Sequence, residues 1–94
     1  MSDVWYLYVV RCSDSSLYTG ITKDVKKRVT THNKSKGAKY TRSRLPVVLV
    51  SHTLVGDKGT ALRYEYRFKS LTKKEKEFVV DENSLDNFVK QHSV

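Results

Sequence analysis

A chain of 94 residues has room for one compact core, which leaves no space for a second catalytic or binding module. With 38% hydrophobic and 30% charged residues it is expected to fold. Its 18 Lys plus Arg against 10 Asp plus Glu, a formal +8 at pH 7, favour anionic partners such as nucleic acid. A single cysteine, Cys12, excludes an internal disulfide and a cysteine-built zinc site and points to a reducing compartment. No basic n-region precedes the first apolar stretch, and no run approaches the roughly 20 apolar residues of a spanning helix. The expected setting is therefore intracellular, cytoplasmic or nuclear, with no membrane partner.

In chain order, Val4 to Cys12 is almost entirely β-branched or aromatic and reads as a strand covered on both faces. The polar Ser13-Asp14-Ser15-Ser16 turn joins it to Leu17–Ile21, giving a hairpin that brings Tyr8 and Tyr18 close. A capping cluster, Thr22-Lys23-Asp24, then opens a short amphipathic helix over Val25–Asn33, in which Val25, Val29 and His32 recur at helical spacing. Lys34–Pro46 is basic and polar, punctuated by Gly37 and Pro46, and is expected to be a loop outside the core. Val47–His52 predicts a third strand, apolar enough for the centre of a sheet.

Thr60 is the predicted N-cap of a second helix, Ala61 to about Leu71, with a core stripe of Ala61, Leu62, Phe68 and Leu71. Thr72-Lys73-Lys74-Glu75 has capping-box form and starts another helical turn towards Phe78 and Val79. Ser84–Val89 suggests a last short helix. The organisation is one domain over residues 1–94, with a motif-bearing core of about 4–79 and a short helix or tail in 80–94.

Several side chains stand where chemistry is possible. Arg28 and His32, four apart on one helix, project from the same face and could engage one phosphate or simply form a solvated basic surface. Glu65 flanks the apolar stripe of its helix, where an unpaired carboxylate is costly to bury. A divalent cation completed by water and phosphate answers that cost, and so does a salt bridge to Arg63, Arg67 or a buried arginine. Tyr6, Tyr8 and Tyr18 fit ordinary sheet packing as readily as function. Tyr40 lies among Lys34, Lys36, Lys39, Arg42 and Arg44, an aromatic and basic combination suited to contacting a nucleic-acid strand or merely to keeping a loop soluble. Cys12 reads as a small buried hydrophobe and Trp5 as a packing residue. His52 and His92 lack a companion at metal-ligand spacing.

Taken together, Tyr6-Leu7-Tyr8, Tyr18-Thr19-Gly20, Arg28, His32-Asn33 and a helical Glu65 resemble the GIY-YIG nuclease family over about Trp5 to Leu71. Gly37-Ala38-Lys39-Tyr40-Thr41-Arg42 followed by Pro46 is similar to its small stand-alone members. The sequence departs from the family in having Tyr6 at the glycine position of the first signature and Thr19 at an aliphatic position of the second. The resemblance implies an α/β sandwich, a three-stranded antiparallel sheet flanked by helices. It also implies a metal-dependent endonuclease, acting on structured or damaged DNA with little sequence specificity. Its catalytic positions map to Tyr8, Tyr18, Arg28, His32 and Glu65. In that scheme Glu65 holds one Mg²⁺ or Mn²⁺, Arg28 clamps a phosphate oxygen, and Tyr8 activates or orients water with His32 relaying its proton. Tyr18 donates a positioning hydrogen bond, and a partner protein could supply specificity. The competing reading is a noncatalytic nucleic-acid-binding module, for example an accessory subunit of a repair complex.

Overall fold

The computed structural model describes residues 4–91, and His92 lies outside them. The chain runs β1 (Trp5–Arg11), β2 (Leu17–Thr22), α1 (Val25–Asn33), α2 (Lys39–Arg42), β3 (Val48–Gly56), α3 (Lys58–Lys69), α4 (Lys73–Asp81) and α5 (Leu85–Gln91). The strands form one antiparallel sheet in the order β2-β1-β3. Alternate residues of β1 feed two cores. Leu7 and Val9 join Tyr64, Phe68, Leu85 and Phe88 of α3 and α5, while Tyr8, Val10 and Cys12 join Val47, with Val25 and Val29 of α1 at the margin. Helices thus flank the sheet on both faces, and β1 reads apolar throughout because both of its faces are covered.

Four expectations need correction. β3 is an edge strand rather than the central one, it continues to Gly56, and its Val48 and Leu54 are exposed. A β-branched run reports strand propensity but carries no information about how many neighbours the strand has. The N-cap of α3 is Asp57, whose carboxylate accepts from the Thr60 backbone N–H at 3.3 Å and its hydroxyl at 2.6 Å. The buried stripe of α3 is Ala61, Tyr64 and Phe68, at three- and four-residue steps, and Leu62 points outward. Finally, the basic segment after α1 is not wholly outside the core, because it contains α2 and the fully buried Thr41. The Asn33 side chain clamps its far end, donating to the Val47 carbonyl and accepting from the Val47 N–H.

The remaining elements follow their local chemistry. Thr72 and Glu75 form the predicted reciprocal capping box at the start of α4. Arg11 grips Glu77 through two bonds of 3.0 and 2.7 Å, tying the end of β1 to α4. α5 docks through Leu85 and Phe88, and the Thr53 hydroxyl donates to the Asp86 carboxylate beside them.

Tyr8 faces Gly20 across the β1–β2 ladder, with its phenol over the glycine α-carbon. A Cβ at position 20 would lie 2.7 Å from the phenol oxygen and 2.9 Å from Cζ. Tyr8 is buried and hydrogen-bonded at its tip, so it has nowhere to retreat. Gly20→Ala is therefore expected to destabilise the fold by ~1–3 kcal/mol, as overpacking does. Thermal unfolding checks this: the midpoint should fall by roughly 4–8 °C per kcal/mol, whereas an unchanged midpoint would show that the ring yields freely.

Candidate active site

The hairpin register places Tyr8 opposite Gly20 and Tyr18 opposite Val10, so both tyrosines share the α1 face of the sheet on a diagonal. α1 is capped by Asp24, whose carboxylate accepts from the Lys27 N–H at 3.1 Å, and this cap sets the phase that turns Arg28 and His32 towards them. The Tyr8 hydroxyl lies 2.8 Å from His32 Nε2 and 3.4 Å from Arg28 Nε. Tyr18 meets the imidazole edge-on, with ring centroids 5.5 Å apart.

His32 is 0% exposed, and both of its ring nitrogens are engaged inside the protein. It therefore cannot share a phosphate with Arg28, as the helix spacing alone allowed. Its Nδ1 lies 2.9 Å from the Thr41 hydroxyl, which is also 2.9 Å from the Ala38 carbonyl. A carbonyl only accepts, so the single Thr41 hydroxyl proton goes to Ala38 and Thr41 accepts from His32 Nδ1–H. That leaves Nε2 with its lone pair free to accept the Tyr8 phenol proton, while Arg28 Nε–H donates to the same phenol oxygen. Gly37 packs its bare α-carbon against the imidazole, where a side chain would collide with both ring and backbone. Burial, helped by the Arg28 charge, lowers the His32 pKa and favours this neutral tautomer. Burial likewise raises the Tyr8 pKa. Arg28 opposes that shift, and the charges of Tyr18 and Glu65 add to it.

Glu65 sits on α3, with its side chain 19% exposed and 3.5 Å from Lys69 Nζ. The Lys69 ammonium also lies 5.6 Å from the Tyr18 ring centroid, so Glu65 reaches the cluster through Lys69. The arginines at positions 63 and 67 are two residues away, a spacing that does not share a helix face, whereas Lys69 at i,i+4 does. That signal was present in the sequence. Thr41 carried none, because nothing local marks a threonine in a basic segment as the partner of a histidine nine residues earlier.

Among the basic residues, Lys34, Lys36, Lys39 and Arg42 are exposed. Tyr40 and Arg44 are packed on each other: Tyr18 stacks on Tyr40 at 5.8 Å and the Arg44 guanidinium covers it at 4.0 Å. Arg44 is held there by Asp14 at 3.0 Å, the Tyr40 carbonyl at 2.9 Å and the Ser43 hydroxyl at 3.3 Å. Tyr40 thus already carries two ring contacts, although it stays 39% exposed. Tyr6 leans on His52, an exposed residue of the edge strand, and Cys12 is buried as expected. Among the described residues, no helix is long and apolar enough to cross a membrane.

Two strands of one small sheet deliver tyrosines to a single histidine, with an arginine on the same helix and a carboxylate on the next layer; this is the framework of a nuclease-type α/β domain. The chain belongs to the GIY-YIG family, whose catalytic-domain model matches residues 4–78. It is 48% identical to a UPF0213 protein of Bacillus pumilus over 86% of this chain and 83% of that one. It is 46% identical to a UPF0213 protein of Haloquadratum walsbyi over 89% and 94% of the two chains. The solution structure of a UPF0213 protein from Bacillus halodurans superimposes with a TM-score of 0.56 at 38% identity, covering 97% of this chain and 98% of that one. Family membership implies a nuclease that binds nucleic acid and uses a divalent metal.

Proposed function

We propose that the protein hydrolyses phosphodiester bonds in DNA, with Tyr8, Tyr18, Arg28, His32 and Glu65 as its working residues. The observation that carries this reading is the buried Tyr8–His32–Arg28 cluster, in which a phenol proton is aimed at a basic nitrogen and the phenol oxygen is flanked by a fixed cation. Such an arrangement is costly to build for packing alone.

The donor set suits a singly anchored hard cation. Among the described residues no three His, Cys, Asp or Glu side chains converge on a metal position. A lone carboxylate beside the cluster matches Mg²⁺ or Mn²⁺, which keep most of their waters. The Glu65–Lys69 pair is a half-exposed i,i+4 contact, weak enough to yield to a divalent ion. When bound, the ion supplies Lewis-acid stabilisation of charge at the phosphate and the leaving oxygen.

Arg28 is half-buried, so its guanidinium is what an incoming strand meets and the Tyr8 phenol lies directly behind it. Arg28 then neutralises a nonbridging oxygen. Tyr8 orients or deprotonates the attacking water, passing its own proton to His32 Nε2. Tyr18 presents its hydroxyl at the same face. Lys34, Lys36, Lys39 and Arg42 contact phosphates, which positions a strand without reading its sequence, so specificity is low unless a partner protein adds it.

Supercoiled plasmid and branched oligonucleotides incubated with Mg²⁺, Mn²⁺ or chelator test the proposal. Nicking that requires metal is expected. A salt-sensitive gel shift without products in any metal would instead identify a binding module.

A further inference from the structure

We infer that the open cleft beside Trp5 is a second nucleic-acid contact, which holds an unpaired base of the strand whose phosphate meets Arg28. This rests on the proposed function above. The cleft measures about 350 Å³ and is lined by Trp5, Ile21, Lys23, Lys27 and Arg28, among others. That volume lies at the small end of ligand clefts, which run ~300–1,000 Å³. Arg28 belongs both to this cleft and to the Tyr8–His32 cluster. A strand anchored at that guanidinium therefore has an adjacent nucleotide within reach of Trp5.

Trp5 is half-buried at the start of β1, and two ammonium groups lie over its ring, Lys23 at 5.6 Å and Lys58 at 5.3 Å from the centroid. They come from different parts of the fold, the segment before α1 and the first residue of α3. An aromatic face bordered by cations is the combination by which proteins hold single strands. Among the described residues that line the cleft, the acidic side chain is Asp24, which is committed to capping α1.

The other exposed aromatics fit less well. Tyr40 is already stacked on Tyr18 and packed against Arg44, which is pinned by three hydrogen bonds. Tyr66 and Phe78 are exposed on α3 and α4, and the buried Tyr64 and Phe68 of α3 and the half-buried Val79 and Val80 of α4 pack on the opposite face of the sheet from α1. Trp5, by contrast, shares a cleft with a residue of the cluster.

The chain has one tryptophan, so its emission reports this cleft directly. The unaltered protein, in chelator to prevent cleavage, is titrated with a single-stranded DNA oligonucleotide while tryptophan emission is followed. A parallel titration with an end-labelled strand follows anisotropy. Emission should be quenched over the same concentration range in which anisotropy rises. A blunt duplex should raise anisotropy with little quenching. Trp5→Ala should weaken single-strand binding about tenfold, equivalent to ~1.4 kcal/mol and within the range for one stacked base, and Trp5→Phe should recover most of it. Trp5→Ala should leave the salt dependence of binding unchanged, whereas Lys27→Ala should lower its slope by about one.

Binding seen by anisotropy with unchanged emission would overturn the Trp5 contact and leave the proposed function standing. Equal quenching by blunt duplex would overturn its preference for an unpaired base. Absence of binding by both readouts would overturn this inference and the nucleic-acid reading together. If Trp5→Ala fails to fold, the emission of the unaltered protein still decides.

Discussion

Glu65→Ala is expected to abolish metal-dependent nicking while leaving the fold and strand binding close to those of the unaltered protein. The two halves of that expectation have different physical origins. Structurally, the carboxylate is partly exposed and makes one loose ion pair to a half-exposed lysine on its own helix, a contact worth at most ~1 kcal/mol. Alanine also raises helix propensity slightly at an interior position, so the thermal midpoint should barely move. Chemically, Glu65 is a carboxylate whose charge is felt at the Tyr8 phenol. Lewis-acid stabilisation is worth several kcal/mol, and each 1.36 kcal/mol is roughly tenfold in rate, so losing the ion should cost on the order of a thousandfold or more. Plasmid-nicking time courses in Mg²⁺ and Mn²⁺, with circular-dichroism melts and gel shifts on the same preparations, check both halves. Metal-dependent nicking that survives in Glu65→Ala would remove Glu65 from the mechanism.

What could be read from the sequence, and what could not, divides by the range of the interaction. The hairpin around Ser13–Ser16, the helix from Val25 and the Thr72–Glu75 capping box are local, and each was legible. The edge position of β3 was not, because the residues that decide it belong to β1, some forty positions earlier. In α3 the aliphatic Leu62 was preferred over Tyr64, although 61, 64 and 68 hold the helical step; hydrophobicity overrode periodicity. At the site, motif order was enough to nominate Tyr8, Tyr18, Arg28, His32 and Glu65, but not to show how they are connected. Thr41 sets the His32 tautomer from within a segment that reads as surface, and Lys69 joins Glu65 to Tyr18.

That connection separates two kinds of contribution. Arg28, Tyr18 and Glu65 remain partly exposed, and so they can meet a substrate or its metal. His32 is enclosed and touches the site through Tyr8, while Thr41 and Gly37 touch His32. A fully satisfied network of this kind holds one protonation state and one geometry. Among the described residues no buried side-chain nitrogen or oxygen lacks a partner.

Tyr8→Phe keeps the ring that fills the α1-side core and removes only the oxygen, so it isolates the proton relay from packing. Cleavage is expected to fall by ~10²–10⁴, the usual contribution of a positioned acid or base. The fold should persist with a loss of ~1–3 kcal/mol, because His32 Nε2 is left buried without its donor. A matching pH profile gives the relay its signature. The Tyr8 pKa is raised above its ordinary value near 10, so the phenol is protonated throughout the neutral range and its proton must be drawn off by His32 during the step. The His32 pKa is lowered below 6.5 by burial and Arg28, so Nε2 stays available at neutral pH and is consumed only as acid takes the solution through that lowered value. The rate of the unaltered protein should therefore decline on the acid side. In Tyr8→Phe the small residual rate should lose that dependence, since no proton is left to relay. Stability moves in the same direction: below pH 6.5 the unfolded chain binds a proton that folded His32 resists, so stability falls with acid until the folded group also titrates. Rates must accordingly be compared only where circular dichroism shows both proteins folded. An acid limb of equal steepness in the two proteins would show that His32 serves the fold and takes no part in moving the proton.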